Sequence, residues 1–228
     1  MDAFRFATED GVTLEGEIRT PEGGARGSAV VCHAHSRHGG SRDHPLLWAI
    51  RSELAARGLA VLSFDFRGVG SSGGTFGGGR PEVRDVAAAV GRVRAEAEGP
   101  TIVCGWSFGA LVALLEATAD PLVAALALVG LPLGDTGLQL PPLPADAELR
   151  AFRRPVLLLS GQGDQFSQRP DLEAVARRLP NAELRIVSGT DHFFWRRETE
   201  VAAAVAELAE RVLPEPRDPT GSGGAPAG

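Results

Sequence analysis

The pentapeptide Gly-Trp-Ser-Phe-Gly at 105–109 constrains this chain more than any other feature because of what lies on either side of it. An apolar, strand-like run at 101–104 precedes it, and a helix-like run at 110–117 follows it. A G-x-S-x-G pattern in that setting predicts a tight strand-to-helix turn that exposes the serine hydroxyl. The following helix directs N–H groups and the positive end of its dipole at any negative charge that develops there. Ser107 is therefore the candidate nucleophile.

Length and composition indicate one α/β domain. The 228 residues fit a single domain of this type, and the hydrophobic fraction of 43% is ample for a buried core. The net charge is -6, and acidic and basic residues are mixed along the chain, so the sequence shows no basic cluster of the kind that binds nucleic acid. The sequence shows no signal-peptide pattern and no apolar run long enough to span a bilayer. We expect a cytoplasmic protein with neither a nucleic-acid nor a membrane partner and leave its oligomeric state open.

Alternating strand and helix patterns predict a mostly parallel, twisted sheet with helices on both faces. Residues 4–8 and 12–19 alternate apolar and polar side chains around an Asp-Gly turn, which predicts an N-terminal antiparallel hairpin. Further strands are predicted at 28–32, 59–64, 101–104, 122–129, 155–160 and 183–187, and helices at 44–57, from 81, after 107, at 171–178 and at 198–213. The domain is predicted to span 1–213, and the Pro/Gly-rich segment 214–228 is predicted to be disordered.

A serine needs a base, and the chain offers one histidine beyond Ser107. A serine hydroxyl is a weak nucleophile until a histidine, oriented by a carboxylate, takes its proton. In folds of this kind the chain order is serine, acid, histidine. His192 follows the predicted strand at 183–187, whose carboxyl end lies at the same sheet edge as the serine turn. His192 is therefore the candidate base.

Three aspartates compete for the role of the acid. Asp164 stands in a glycine-containing turn directly after the strand at 155–160. Asp135 follows the preceding strand, where some enzymes of this architecture have their acid. Asp191 adjoins the candidate base, but adjacent side chains rarely face each other. The geometric roles of a triad favour Asp164, with Asp135 as an alternative.

Two backbone N–H groups are expected to stabilise the oxyanion of acyl transfer. The first is the amide of Phe108, directly after the nucleophile. The second is expected from the loop at 33–40, which reads His-Ala-His-Ser-Arg-His-Gly-Gly, at or near His35. Removing one such donor typically costs about 2.7–4 kcal/mol of barrier.

The pocket is predicted around the same edge. The proline- and leucine-rich segment 131–144 stands where related folds insert a lid, and it is too short for a large cap. It is either a loop packed on the core or one wall of an apolar acyl pocket. Core packing is the alternative for Trp106, and shaping the 33–40 loop is the alternative for His33. The pocket candidates are His33, Trp106, Leu133, Leu138 and Phe193.

Two patterns suggest other ligands but lack the context. Four histidines crowd 33–44, yet Asp43 is the only nearby acid and no zinc or iron ligand set is complete. The G-x-G-x-x-G string at 68–73 follows a strand, but its loop continues to 79, whereas a dinucleotide fingerprint opens directly into a helix. We therefore expect neither a metal nor a cofactor. Cys32 and Cys104 are expected to be buried thiols in neighbouring strands, with a redox-sensitive pair as the alternative.

Taken together, these motifs resemble the α/β-hydrolase superfamily. Residues 65–72 resemble its common D-x-R-G-x-G-x-S segment, which accounts for the glycines at 68–73. The closer resemblance is to small bacterial predicted hydrolases with a His-Pro-His-Pro loop, an F-R-G-V-G segment, a G-x-S-F-G elbow and an A-D-H-F-F ending. This chain has His-Ala-His-Ser at 33–36, without the two prolines, and Thr-Asp-His-Phe-Phe at 190–194. It is also similar to dienelactone-hydrolase-like proteins and short serine esterases.

The resemblance implies hydrolysis of a small-molecule carboxylic ester or thioester through an acyl-enzyme intermediate. Two other functions remain open at this point. One is acyl transfer to an acceptor other than water with the same triad, and the other is a non-catalytic binding protein on a hydrolase fold.

Overall fold

The N-terminal hairpin predicted from the Asp-Gly turn is present and forms one edge of an eight-stranded sheet. In the computed structural model, which describes residues 3–134 and 136–215, β1 (Phe4–Ala7) pairs with β2 (Thr13–Arg19), and β2 pairs with β4 (Leu59–Phe64), both antiparallel. The other pairings are parallel and involve β3 (Gly27–Cys32), β5 (Thr101–Trp106), β6 (Val123–Val129), β7 (Val156–Gly161) and β8 (Ala182–Val187). The strand order is β1-β2-β4-β3-β5-β6-β7-β8, which confirms the predicted fold class.

Helices cover both faces of the sheet. One apolar layer lies under α1 (Pro45–Ala56) and α6 (Glu198–Glu210). The other lies under α2 (Arg80–Arg94), α3 (Phe108–Ala119), α4 (Asp146–Ala151) and α5 (Arg169–Ala176). Every residue of β3, β4, β5 and β7 is buried, as expected for strands covered on both faces. The short helix α4 and a 3-10 turn at Ser36–His38 lack strong periodicity and were not predicted.

The parallel arrangement of the strands brings the loops with the candidate site residues to one edge of the sheet. The carboxyl ends of β3, β5, β6, β7 and β8 all point the same way. The histidine-rich loop, the serine turn and the loops of the candidate acid and base therefore lie side by side.

Cys32 and Cys104 lie on opposite faces of the sheet, although their strands are neighbours as expected. Cys104 is in register with Val31, so Cys32 is one position away and points to the other side. Cys32 belongs to the layer under α2 and α3, and Cys104 to the layer under α1 and α6. Both are free thiols. The proposed redox pair is therefore wrong, because the sheet separates the two sulfur atoms.

The glycine string at 68–73 is a loop that ties the hairpin to the sheet. The Ser72 hydroxyl donates to the Asp65 carbonyl at 2.7 Å and accepts from the Glu15 N–H at 2.9 Å. The Gly73 N–H donates to the Thr13 carbonyl at 2.7 Å. The next helix begins at Arg80.

The rival acid Asp135 lies outside the described residues, as does most of the predicted tail, from 216 onward. Among the described residues no helix combines the length and the apolar character needed to cross a bilayer.

Candidate active site

Ser107 stands at a sharp turn between β5 and α3. Its backbone has φ 57° and ψ -122°, a strained conformation for a residue with a side chain. The Ser107 N–H donates to the Val129 carbonyl at 2.8 Å, which ties the turn to β6. A Cβ atom at Gly105 would overlap the Gly109 carbonyl, and one at Gly109 would lie 2.5 Å from the Cys32 carbonyl oxygen. Both glycines are therefore required because strand, helix and β3 approach so closely.

Ser107, His192 and Asp164 form one hydrogen-bonded chain. The Nε2 atom of His192 lies 2.9 Å from the Ser107 Oγ atom, and its Nδ1 atom lies 2.8 Å from the Asp164 Oδ2 atom. The three residues are 6%, 4% and 5% exposed. Because an ionised carboxylate only accepts hydrogen bonds, a neutral His192 beside it carries its proton on Nδ1. Its Nε2 atom is then free to accept the serine proton.

The loops around these three side chains hold them through contacts that the sequence did not reveal. The Phe166 N–H donates to the Asp164 Oδ1 atom at 2.9 Å, and the Phe166 ring lies 4.9 Å from the His192 ring. Gly130, with φ 57°, leaves little room for a side chain, since an added Cβ would lie 3.1 Å from His192 and 3.4 Å from Asp164. Its position directly after a predicted strand was the one signal that could have indicated it.

Asp191 does not take the part of the acid in this arrangement. Its Oδ1 atom accepts from the Phe193 N–H at 2.9 Å, and its side chain is exposed. A carboxylate that caps its own turn in this way is directed at the backbone and not at the ring of His192.

The two candidate oxyanion donors lie on neighbouring loops. Phe108 is the first residue of α3, and its ring centroid lies 5.1 Å from that of His35. In the described part of the chain neither backbone N–H has a protein acceptor. Burial, together with the nearby His38 and Arg37, lowers the pKa of the His35 ring to about 4, so that ring is neutral at neutral pH.

Comparison with known proteins identifies the family of this chain. A family model described as an alpha/beta hydrolase domain matches residues 27–213. The chain belongs to the α/β-hydrolase family.

Solved structures place this α/β hydrolase among serine hydrolases. An alpha-beta serine hydrolase homologue from Coxiella burnetii is 26% identical, with a TM-score of 0.77 over 90% of this chain and 96% of that one. A serine hydrolase without a lid from Xanthomonas campestris is also 26% identical, with a TM-score of 0.78 over 95% and 96%. An uncharacterized protein of Rickettsia prowazekii is 26% identical over 78% of this chain and 76% of its own length. The family and these neighbours support an enzyme that carries out hydrolysis.

Of the five pocket candidates in the hydrolase, Leu133 and Leu138 share a cavity of about 290 Å³ that is lined mainly by leucine and proline residues. Leu111 also lines it, one helical turn beyond Ser107, and its N–H lies 3.3 Å from the Ser107 carbonyl oxygen. Phe193 is 41% exposed, and its ring lies 5.8 Å from that of His192, at the outer rim.

The other two candidates pack inside the hydrolase. The Nε1 atom of Trp106 donates to the His192 carbonyl at 3.1 Å, and its indole is buried beneath the His44 ring at 4.3 Å. These contacts support the core-packing alternative for Trp106. His33 has no exposed surface, and both ring nitrogens contact backbone groups, so the expectation that it lines the pocket is wrong. The alternative role of shaping the loop fits its contacts.

Two of the four crowded histidines serve as local caps. The Nδ1 atom of His44 accepts from the Leu46 N–H at the start of α1, and the Nδ1 atom of His35 accepts from the Arg37 N–H. Across residues 3–134 and 136–215, no three metal-ligating side chains converge. The absence of a metal or cofactor stays a prediction.

Proposed function

We propose that this protein is a serine hydrolase that cleaves carboxylic esters or thioesters through an acyl-enzyme intermediate. The observation that carries the proposal is the continuous hydrogen-bonded chain from Ser107 through His192 to Asp164. Each member comes from a different loop at one edge of the sheet, and the order along the chain is that expected for this fold.

In the first half-reaction the Ser107 Oγ atom attacks the acyl carbon while His192 Nε2 takes its proton. Asp164 stabilises the imidazolium that forms. The bond from the acyl carbon to the leaving oxygen or sulfur then breaks, and His192 returns the proton to the departing alcohol or thiol. In the second half-reaction His192 takes a proton from water, whose oxygen attacks the acyl carbon of the acyl-enzyme. The bond from that carbon to the Ser107 Oγ atom then breaks, His192 returns the proton to Ser107, and the carboxylic acid is released.

The negative charge of each tetrahedral intermediate falls on the former carbonyl oxygen. The N–H groups of Phe108 and His35 are the proposed donors to that oxygen. Neither is engaged by a protein acceptor in the described residues, so both remain available to a substrate. The leucine and proline residues that line the cavity beside Leu111 support an apolar acyl group, because ligand sites are lined mostly by apolar side chains with few polar anchors.

The similar serine hydrolase from Xanthomonas campestris is described as having no lid, which supports an active site that substrates can reach directly. In this chain the segment between β6 and β7 contains only one six-residue helix among the described residues. We therefore expect a substrate to reach Ser107 without the movement of a closing domain.

The test uses nitrophenyl esters and acyl-thioesters of graded chain length with the purified protein. We expect turnover by the wild type, loss of turnover in Ser107→Ala, and covalent labelling of Ser107 by a fluorophosphonate. Ser52→Ala is the matched control and should keep both, since the Ser52 hydroxyl accepts a hydrogen bond from Arg19 far from the site.

Three results would contradict the proposal or redirect it. Turnover in Ser107→Ala equal to that of the wild type would show that Ser107 is not the nucleophile. A folded wild type that neither turns over nor accepts the probe would indicate a binding protein. Preferential formation of a new ester or amide when an alcohol or amine is added would indicate acyl transfer.

A further inference from the structure

His33 is a fully buried histidine whose two ring nitrogens both contact backbone groups. The Phe66 N–H lies 3.0 Å from the Nε2 atom, and the Ala34 carbonyl oxygen lies 2.6 Å from the Nδ1 atom. A backbone N–H can only donate and a carbonyl can only accept. The Nε2 atom of His33 must therefore be unprotonated, and the proton must be on Nδ1.

That tautomer fixes the direction of one peptide group. The Ala34 carbonyl is turned toward the His33 ring, and in a trans peptide the carbonyl and the following N–H point in opposite directions. The N–H that follows is that of His35, the candidate second oxyanion donor. It is consequently directed away from the His33 ring.

The rest of the loop accommodates this orientation. A side chain at Gly40 would overlap the Ala34 carbonyl, so glycine is required there. The His35 carbonyl is held by the N–H groups of His38 at 2.9 Å and Gly40 at 3.1 Å. The peptides on both sides of the His35 Cα atom are thus restrained before any substrate binds.

We propose that His33 is a positioning residue, which orients the peptide between Ala34 and His35 so that the His35 N–H donates to the oxyanion. This role rests on the proposed function. His33 touches neither the substrate nor the reacting atoms, and it acts through a single hydrogen bond to the Ala34 carbonyl.

Burial keeps the His33 ring neutral despite a nearby carboxylate. The Asp65 Oδ1 atom lies 3.9 Å from Nε2, but the Asp65 carboxylate is engaged by the Arg42 guanidinium and by the Arg42 N–H at 2.9 Å. Burial of the ring, aided by the positive charge of Arg42, lowers the pKa of His33 to about 4. At neutral pH the contact with Asp65 is therefore not an ion pair, and Nε2 remains an acceptor for the Phe66 N–H.

Two conservative substitutions separate orientation of the peptide from packing. In His33→Asn the side-chain amide can occupy the position of Nδ1 and donate to the Ala34 carbonyl. In His33→Gln the longer amide reaches the position of Nε2 and leaves that carbonyl without its donor. We expect kcat to fall less than about tenfold in the first and about 100-fold or more in the second, with KM little changed in either, because the oxyanion exists only in the transition state. Equal losses in both variants, or a loss confined to KM, would overturn the proposal.

A spectroscopic measurement on the wild type tests the orientation without using activity. Nitrogen NMR of ring-labelled histidine should show His33 protonated on Nδ1 and unprotonated on Nε2 at neutral pH. A proton on Nε2 would overturn the proposal even if the enzyme is active. A wild type without turnover but with the expected tautomer would instead remove the proposed function and leave the peptide orientation in place, so the two failures are distinguishable.

Discussion

The Nε2 atom of His192 lies 2.9 Å from the Oγ atom of Ser107, although 85 positions separate the two residues in the chain. The contact is made across the sheet edge, since β5 and β8 run parallel and both end there. The strained φ of Ser107 and the space left by Gly130 allow the two side chains to meet. The contact between the two side chains thus depends on backbone features as well as on the side chains themselves.

Asp164→Asn is expected to lower kcat by about 10⁴-fold, because the amide can donate to His192 and favour the tautomer with its proton on Nε2. The fold should persist, since the side chain keeps nearly the same shape and the Oδ1 contact with the Phe166 N–H. Steady-state kinetics with a nitrophenyl ester and a thermal unfolding curve would measure both.

The rival aspartates provide the controls for this substitution. Asp191→Asn affects an exposed turn and should change kcat by no more than a few-fold. Asp135→Asn should likewise be milder than Asp164→Asn. A larger loss in Asp135→Asn would move the acid to the loop after β6.

Gly130→Ala is expected to impair turnover more than stability. An added Cβ would lie 3.1–3.2 Å from the His192 ring and displace it from Ser107, and the positive φ adds about 1–2 kcal/mol of strain. We expect kcat to fall at least about tenfold, since a small misplacement of a catalytic group is costly.

Gly11→Ala is the matched control for backbone strain. Gly11 also has a positive φ, 81°, but nothing lies within 4 Å of an added Cβ, and it stands in the distant hairpin turn. Gly11→Ala should lose about as much stability as the backbone strain costs Gly130→Ala, and it should keep the turnover of the wild type. Equal kcat in Gly130→Ala and the wild type would show that His192 does not need that space.

The sequence predicted the residues whose signals are local. The G-x-S-x-G string between a strand and a helix indicated Ser107, and a single downstream histidine indicated His192. Asp164 followed from its place after a strand. The structure brings these three side chains together because parallel strands end at one edge of the sheet, and their catalytic roles stay predictions.

The features that the sequence missed involve backbone partners distant in the chain. His33 looked like a pocket histidine, yet its ring accepts from a backbone N–H 33 residues away, and a backbone donor has no sequence signature. The faces of Cys32 and Cys104 depend on strand register, which a one-residue change reverses. The need for a glycine at position 130 depends on where the His192 ring lies after folding, because that ring lies close to the Gly130 backbone.

Oxidation of the native protein is expected to leave both cysteines as thiols. The sheet separates them, and burial raises the pKa of Cys32 and raises that of Cys104 to about 12, so little reactive thiolate forms. After diamide treatment, intact mass and thiol titration should show two free thiols, which react readily only in denaturant. A native product lacking two hydrogens would contradict the placement of the two side chains.

Glu116→Gln is expected to stabilise the protein at alkaline pH. Glu116 is 8% exposed on α3 and has no side-chain hydrogen bond or ion pair within the described residues. Burial, with the nearby Asp120 charge, raises its pKa to about 7, while Arg94 opposes the rise. Between its unfolded pKa and pH 7 the unfolded chain is ionised while the folded chain keeps its proton, so the wild type loses stability as pH rises through that window.

Glu116→Gln should therefore change the free energy of unfolding little near pH 5. At pH 8 it should raise that free energy by about 2 kcal/mol, allowing for partial solvent screening. Urea unfolding of both proteins at the two pH values measures the difference. Glu173→Gln, which removes an exposed i,i+4 pair with Arg169 on α5, is the control and should change stability by less than about 0.5 kcal/mol. A stability gain in Glu116→Gln that is the same at pH 5 and pH 8 would contradict the titration of Glu116, since only ionisation of the buried carboxyl makes the difference grow with pH.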